Sequence, residues 1–322
     1  MSVSEFDLIR RCLSRATPGR GDVLLGIGDD CALLQPPVGQ CLAVSMDTLV
    51  EGRHFAAGTD PASLGHKALA VNLSDLAAAG AEPAWATLSL TLPRADTAWL
   101  DAFMHGFATL AAEYRVQLVG GDTTSGPLSI TLQLHGFVEP DKALRRSGAS
   151  PGDRLCVSGT LGDAALALRR LQQPDASGPR LPGALRRRLD RPSPRVALGR
   201  LLRGRASAAI DVSDGLLADL GHLCESSGVG ALIKLSDLPL SGIVAAETAR
   251  GNWEPVLAGG DDYELLFSVD PVASGALLQR CRDAGHAVQE IGCLVDEGGI
   301  TLVHPDGQQS KENARGFDHF RA

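Results

Sequence analysis

The stretch Leu42-Ala43-Val44-Ser45-Met46-Asp47-Thr48-Leu49-Val50-Glu51-Gly52-Arg53-His54-Phe55 joins an apolar run to an acid, and the acid to a glycine-centred polar segment. Residues 42–46 read as a short strand with Asp47 at its end. His54 follows closely enough to reach the same crevice, although a lone histidine is more often structural. Outward from here the chain keeps alternating. Residues 88–92, 117–119 and 130–138 read as strands, and 64–79 and 99–114 as helices; Trp99, Phe103, Phe107 and Leu110 mark one face of the second helix. The expected class is therefore α/β, in the broad sense that includes α+β.

The run of strands ends in polar, proline-containing sequence at Val138-Glu139-Pro140-Asp141, where a domain boundary is expected, giving domains 1–139 and 140–322. A length of 322 residues favours two cores over one. Beyond the boundary, strands are expected at 155–158, 208–211, 231–235 and 265–269, and helices from about 164 and over 216–224. Residues 173–183 carry Pro, Gly, Ser and Asp without periodicity and read as a loop.

Composition narrows the function. Hydrophobic residues make up 44% and charged residues 21%, which is ordinary globular usage, but aromatics are only 4%, so packing rests on Ala, Leu and Val. A formal charge of −8 argues against nucleic acid, which is bound through basic patches. Divalent cations can still bridge acidic side chains to an anionic substrate. The seven cysteines are scattered with no CxxC spacing, which fits reduced thiols in a cytoplasmic protein. The N-terminus lacks the pattern of a signal peptide, and no apolar run approaches the ~20 residues of a membrane span.

The carboxylates recur beside glycines, at expected strand ends or, for Ser74-Asp75, on the polar side of an Ala/Leu helix: Gly28-Asp29-Asp30, Ser45-Met46-Asp47, Ser74-Asp75, Gly120-Gly121-Asp122, Asp211-Val212-Ser213-Asp214-Gly215 and Gly259-Gly260-Asp261-Asp262-Tyr263-Glu264. Strand ends are where α/β folds bind ligands, and glycine lets the backbone approach closely. Several acids at one crevice repel unless a cation joins them, and hard oxygen donors select Mg²⁺, which shares its shell with phosphates. Phosphoryl transfer is the chemistry such a set serves. Plainer readings exist for each piece. Ser213 and Asp214 could cap a helix starting at Leu216; Asp29-Asp30 could be a polar turn; Asp75 a solvated helix residue; Asp261-Asp262 loop charge; Arg145 and Arg146 a solvated pair. Ser158-Gly159-Thr160-Leu161-Gly162-Asp163 could bind phosphate at a helix N-terminus or be a tight turn. Neither a Walker A sequence nor the protein-kinase signatures occur.

Taken together, Gly26-Ile27-Gly28-Asp29-Asp30-Cys31-Ala32, residues 45–55, residues 71–81, Gly120-Gly121-Asp122-Thr123-Thr124, Asp211-Val212-Ser213-Asp214-Gly215-Leu216 and Gly259-Gly260-Asp261-Asp262-Tyr263-Glu264-Leu265 resemble the thiamine-monophosphate kinase family. Order and spacing fit from about Glu5 to Phe320, with residues 47–55 the most specific part. The resemblance implies phosphorylation of thiamine monophosphate by ATP, a cytoplasmic homodimer paired through its N-terminal domains, and the two-domain fold of aminoimidazole ribonucleotide synthetase. By the same resemblance Asp30, Ser45, Met46 (through its carbonyl), Asp47, Asp75, Asp122, Asp211 and Asp214 would hold Mg²⁺. Gly121, Asp122, Arg146 and Ser213 would contact ATP, while His54, Asp261 or its neighbour Asp262, and Phe317 would contact thiamine monophosphate. No protein nucleophile is implied. A selenophosphate synthetase would need a reactive cysteine that Cys12 and Cys31 do not offer, and a carbamoyl-dehydrating relative would end in Cys, whereas residues 319–322 read His-Phe-Arg-Ala. From another class, a non-catalytic nucleotide or Mg²⁺ sensor is the alternative, which binding of ATP without turnover of any phosphate acceptor would favour.

Overall fold

The structure, a computed structural model, describes residues 17–172 and 181–317. Most of the loop expected at 173–183, Cys12 and residues 318–322 lie outside them. By contacts the chain divides into two compact units, residues 1–76 with 81–140, and residues 77–80 with 141–322.

The first unit opens with the small antiparallel pair β1 (Val23–Leu25) and β2 (Leu33–Leu34). There follow β3 (Cys41–Val50), α1 (Pro61–Ala78), β4 (Glu82–Leu92), α2 (Thr97–Tyr114), β5 (Gln117–Ser125) and β6 (Ser129–Val138). The sheet order is β3-β6-β4-β5, and only β4 and β5 run parallel, joined by the α2 crossover. On one face of the sheet Leu88, Leu90, Ile130, Leu132 and Leu134 are buried. Leu76 of α1 lies against Gly136 on that sheet.

The two long helices cross with backbone against backbone. A Cβ on Gly65 would stand 2.0 Å from the carbonyl oxygen of Phe103, and one on Gly106 would stand 1.8 Å from that of Ala62. Helix α2 is fixed at its start by Asp96, whose side chain accepts from the Trp99 amide at 3.0 Å. Its end is fixed by Arg115 in the left-handed region.

The other face of the sheet is covered in part. Trp85 meets Phe137 edge to face at 4.9 Å, and Val23, Ala32 and Leu34 pack on this pair. The Trp85 indole N–H donates to Asp22 at 2.9 Å, while Arg20 holds that carboxylate below the usual range. On β3 the face continues uncovered within this unit: Leu42, Val44 and Met46 are 45%, 51% and 64% exposed.

The second unit contains β7 (Arg154–Ser158), α3 (Asp163–Gln172), α4 (Gly183–Asp190), α5 (Val196–Leu202), β8 (Ala208–Val212), α6 (Leu216–Ser227) and β9 (Gly230–Lys234). It continues with α7 (Gly242–Thr248), α8 (Glu254–Leu257), β10 (Glu264–Val269), α9 (Pro271–Asp283), β11 (Val288–Val295), β12 (Gly299–Val303) and β13 (Gln309–Glu312). Its seven strands run in the order β13-β12-β9-β11-β7-β10-β8, parallel only between β9 and β12. Strands β7, β8 and β10 are almost wholly buried, and Leu216, Leu217, Leu220 and Leu223 of α6 join their core. No helix among the described residues is long and apolar enough to cross a membrane.

Mixed α+β sheets are thus the form the expected class takes. The strands at 42–46 and 117–119 extend well past their expected ends, which moves Asp47 and Asp122 from strand termini into strand interiors. Both lie on the outer strands of the four-stranded sheet. There, one side of the strand carries no ladder partner and polar residues are tolerated mid-strand.

Candidate active site

In the first unit, side chains alternate along β3, which sets Ser45 and Asp47 on the face opposite to Val44 and Met46. The hydroxyl of Ser45 donates to the Asp75 carboxylate, and stands 3.4 Å from the amide oxygen of Asn72, both on α1. Asp75 is therefore not a merely solvated helix residue: α1 is buried nearly all round, and Asp75 is tied to β3. The donors gathered here are all oxygens.

At the other edge of the sheet, β5 carries Gly121 and Asp122 opposite Leu88 and Ser89. Gly121 has φ +152°, and a Cβ there would lie 1.9 Å from the Leu88 carbonyl oxygen, so only glycine lets β5 run this close to β4. Asp122 itself is exposed. Asp30 is exposed in the turn between β1 and β2, where its amide donates to the Asp29 side chain at 2.8 Å. His54 sits in the tight turn after β3. Its Nδ1 accepts from the Val50 amide at 3.0 Å, which leaves the proton of the neutral ring on Nε2. Among the described residues no three of His, Cys, Asp and Glu cluster closely enough to enclose a metal by themselves.

In the second unit, the residues after β8 and those before β10 are locked together by backbone hydrogen bonds. Asp261 donates its amide to the Ser213 carbonyl at 2.8 Å, Tyr263 its amide to Val212 at 2.7 Å, and Phe317 its amide to Asp214 at 3.0 Å. This brings Ser213, Asp214, Asp261 and the half-exposed Phe317 into one place. Asp211, by contrast, is buried within β8, opposite Leu265. Asp261 and Tyr263 have φ +69° and +51°, a region that non-glycine residues seldom occupy, and the Tyr263 hydroxyl donates to Asp261 at 2.9 Å.

Asp262 goes the other way. It is 1% exposed, and both its oxygens accept the Gly162 amide, at 2.9 and 3.1 Å. Burial pushes its carboxyl well above the usual range, against the opposing pull of that amide and of Arg188. Of the two adjacent acids the sequence offered, Asp262 is the internal one and Asp261 stays near the surface. The same bond occupies the Gly162 amide, so the Ser158–Asp163 segment is a tight turn rather than a phosphate cradle. Arg146 is exposed, and its carbonyl accepts from the Ser227 hydroxyl at 3.0 Å.

Two features escaped the sequence. Beneath the 259–263 loop, the fully buried Glu264 accepts from Arg188 at 2.9 Å, from Arg195 at 2.5 and 2.6 Å, and from the Ser158 hydroxyl at 2.5 Å. Asp219, in the first turn of α6, accepts the amides of Ser213, Asp214 and Gly215 at 3.0, 3.1 and 3.1 Å. Burial first, and then the Asp214 charge, raise its carboxyl to about 7 despite the three amides. The helix start is thus held from within by Asp219, and the N-cap position is Gly215, not Ser213 or Asp214. An acid standing in an otherwise apolar strand or helix turn was the only signal available for either.

Two family models match the chain, AIR synthase related protein, N-terminal domain, over residues 28–138, and AIR synthase related protein, C-terminal domain, over residues 150–305. Thiamine-monophosphate kinase of Escherichia coli K12 is 48% identical over 99% of both chains. The crystal structure of thiamine-monophosphate kinase from Stenotrophomonas maltophilia K279a is 46% identical, with a TM-score of 0.86 over 96% of this chain and 99% of that one. AaThiL complexed with AMPPCP and TMP is 32% identical, with a TM-score of 0.77 over 88% of this chain and 89% of that one. Identity near one half along the whole length, joined to a fold with those acids and glycines in place, gives the conclusion: the chain belongs to the thiamine-monophosphate kinase family.

Proposed function

We propose that the chain transfers the γ-phosphoryl group of ATP to the phosphate of thiamine monophosphate, releasing ADP and thiamine diphosphate, with Mg²⁺ as the required ion. The observation that carries this reading is the full-length likeness to thiamine-monophosphate kinases, which extends to AaThiL complexed with AMPPCP and TMP. Isolated carboxylates are no objection to Mg²⁺, which typically keeps several waters and takes one or two protein carboxylates together with substrate phosphates. The all-oxygen group of Ser45, Asn72 and Asp75 fits such an ion.

In this reading Asp30, Ser45, Asp47, Asp75, Asp122, Asp211 and Asp214, with the Met46 carbonyl, hold the ions. When bound, Mg²⁺ would neutralise the phosphate oxygens and polarise the bond being broken. Gly121, Asp122, Ser213 and Arg146 contact the nucleotide. Gly121 lets the backbone come close, and Arg146 offers a guanidinium to a phosphate. His54 donates from Nε2, Asp261 accepts, and Phe317 offers a ring face to thiamine. The attacking phosphate oxygen is already ionised at neutral pH, so no side chain need remove a proton or form a covalent intermediate. The chain's own contribution is in-line positioning of two anions.

Two copies of the chain would pair through the uncovered sheet face bearing Leu42, Val44 and Met46, whose exposure supports an apolar contact. The described cysteines are all free thiols, which supports a reducing, cytoplasmic setting. The test is a coupled ADP-release assay with ATP and Mg²⁺, with thiamine monophosphate and free thiamine in parallel. ADP formed with the monophosphate alone, and abolished by chelator, supports the reading. Protein that binds ATP but turns over neither acceptor overturns it.

A further inference from the structure

The loop Ser213-Asp214-Gly215 is held on both of its polar sides. Its carbonyls at Ser213 and Asp214 accept the amides of Asp261 and Phe317, at 2.8 and 3.0 Å. Its three successive amides converge instead on a single oxygen of Asp219, at 3.0 to 3.1 Å. Three convergent amides at the start of a twelve-residue helix form the kind of concavity that takes a phosphate oxygen directly. Here that concavity is already filled by a carboxylate that is 3% exposed. What the loop retains for a ligand is the side-chain chemistry of Ser213 and Asp214, an alcohol and an acid, which suits a cation.

We propose that Asp219 is a positioning residue for metal-dependent phosphate binding: it occupies the amide nest that opens α6, so that the 213–215 loop meets phosphate through a divalent ion and its side chains rather than through its own backbone amides. This rests on the reading of Asp214 as a metal ligand given above. A plain helix cap would account for one or two of the amide bonds, but not for a buried acid reaching back to three successive residues outside its helix. By closing these amides against anions, Asp219 also fixes the backbone from which Ser213 and Asp214 project. Outer groups that orient metal ligands typically matter by about tenfold to a hundredfold in metal affinity.

The test compares Asp219→Ala, Asp219→Asn and Asp214→Asn with the wild-type full-length protein. Three quantities are read: the Mg²⁺ concentration for half-maximal ADP release, the calorimetric affinity for a non-hydrolysable ATP analogue with and without Mg²⁺, and the melting temperature. The expected result for Asp219→Ala is a Mg²⁺ midpoint raised by about tenfold or more. Its analogue affinity should weaken with Mg²⁺ present and strengthen without it, because the opened nest accepts phosphate directly. Asp219→Asn, isosteric and the variant more certain to fold, should move the same quantities in the same direction by less. A role confined to stability would lower the melting temperature and leave both Mg²⁺ readouts of the folded protein unchanged; that result overturns the proposal. If Asp214→Asn also leaves them unchanged, the reading of Asp214 as a ligand falls. If Asp214→Asn shifts them and neither Asp219 variant does, only the role of Asp219 falls.

Discussion

Arg188 donates from Nη2 to Oε1 of Glu264 across 2.9 Å, and the carboxylate it meets is fully buried. Arg195 and the Ser158 hydroxyl complete the shell of that acid, and Arg188 also donates to the carbonyls of Thr160 and Asp262. One acid therefore ties β7 and β10 to α4, which carries Arg188, and to Arg195 just before α5. Removing it strands two guanidiniums in partly desolvated positions. Glu264→Ala should cost about 3–5 kcal/mol in urea unfolding, and a loss below about 1 kcal/mol would show that the network is not what holds the 259–263 loop.

Stability should also depend on pH through Asp262. Unfolded, this carboxyl titrates near 3.8; burial raises it well above that in the folded chain. Between the two values the folded chain holds one more proton than the unfolded one. The stability this group contributes is therefore complete at low pH and is lost as pH rises through the folded value. Asp262→Asn keeps an acceptor for the Gly162 amide without the ionisation. Denaturant melts from pH 5 to 8 should show the variant's slope flatter by up to about 1.4 kcal/mol per pH unit. Parallel slopes would count against it.

At Gly121 both the positive φ and the Leu88 carbonyl exclude a side chain. Gly121→Ala should destabilise by roughly 2 kcal/mol or more, because β5 must move off β4. Asp122 is the next residue, so turnover should fall with it. Thermal unfolding and the ADP assay together check this; a variant normal in both would mean the strands can part without consequence.

Asp47→Asn and Asp122→Asn test the proposed metal ligands without changing shape. Each should lower turnover by roughly a hundredfold or more. Melting should shift by no more than about 4 °C, because neither substitution opens a cavity. Near-normal turnover in either would remove that residue from the ligand set.

The open sheet face offers a separate check. Val44 is 51% exposed on β3 within one chain. Val44→Asp should leave the monomer folded and shift sedimentation from dimer toward monomer. A wild-type chain that sediments as a monomer would refute pairing through this face.

Much of this protein was legible in its sequence. The spacing of Trp99, Phe103, Phe107 and Leu110 marked α2, and the apolar runs marked β7, β8 and β10, because burial on one face or on both leaves a periodic trace. Strands β11 and β13 left little trace: both are partly exposed and carry Gln and Glu among their residues. The acid-and-glycine motifs could be read because local chemistry and local backbone freedom are properties of neighbouring residues. What lay beyond sequence was every partnership between distant residues. Ser213 and Asp261 share a backbone hydrogen bond, and Ser45 meets Asp75, only because strands and helices far apart in the chain pack together. The different surroundings of the adjacent acids Asp261 and Asp262 likewise come from tertiary packing, since Asp261 is only partly buried while Asp262 accepts the Gly162 amide one hundred residues away in the chain. Sequence determined which chemical groups this protein has; tertiary packing decided which of them are desolvated, paired and held still, because those depend on neighbours that only folding supplies.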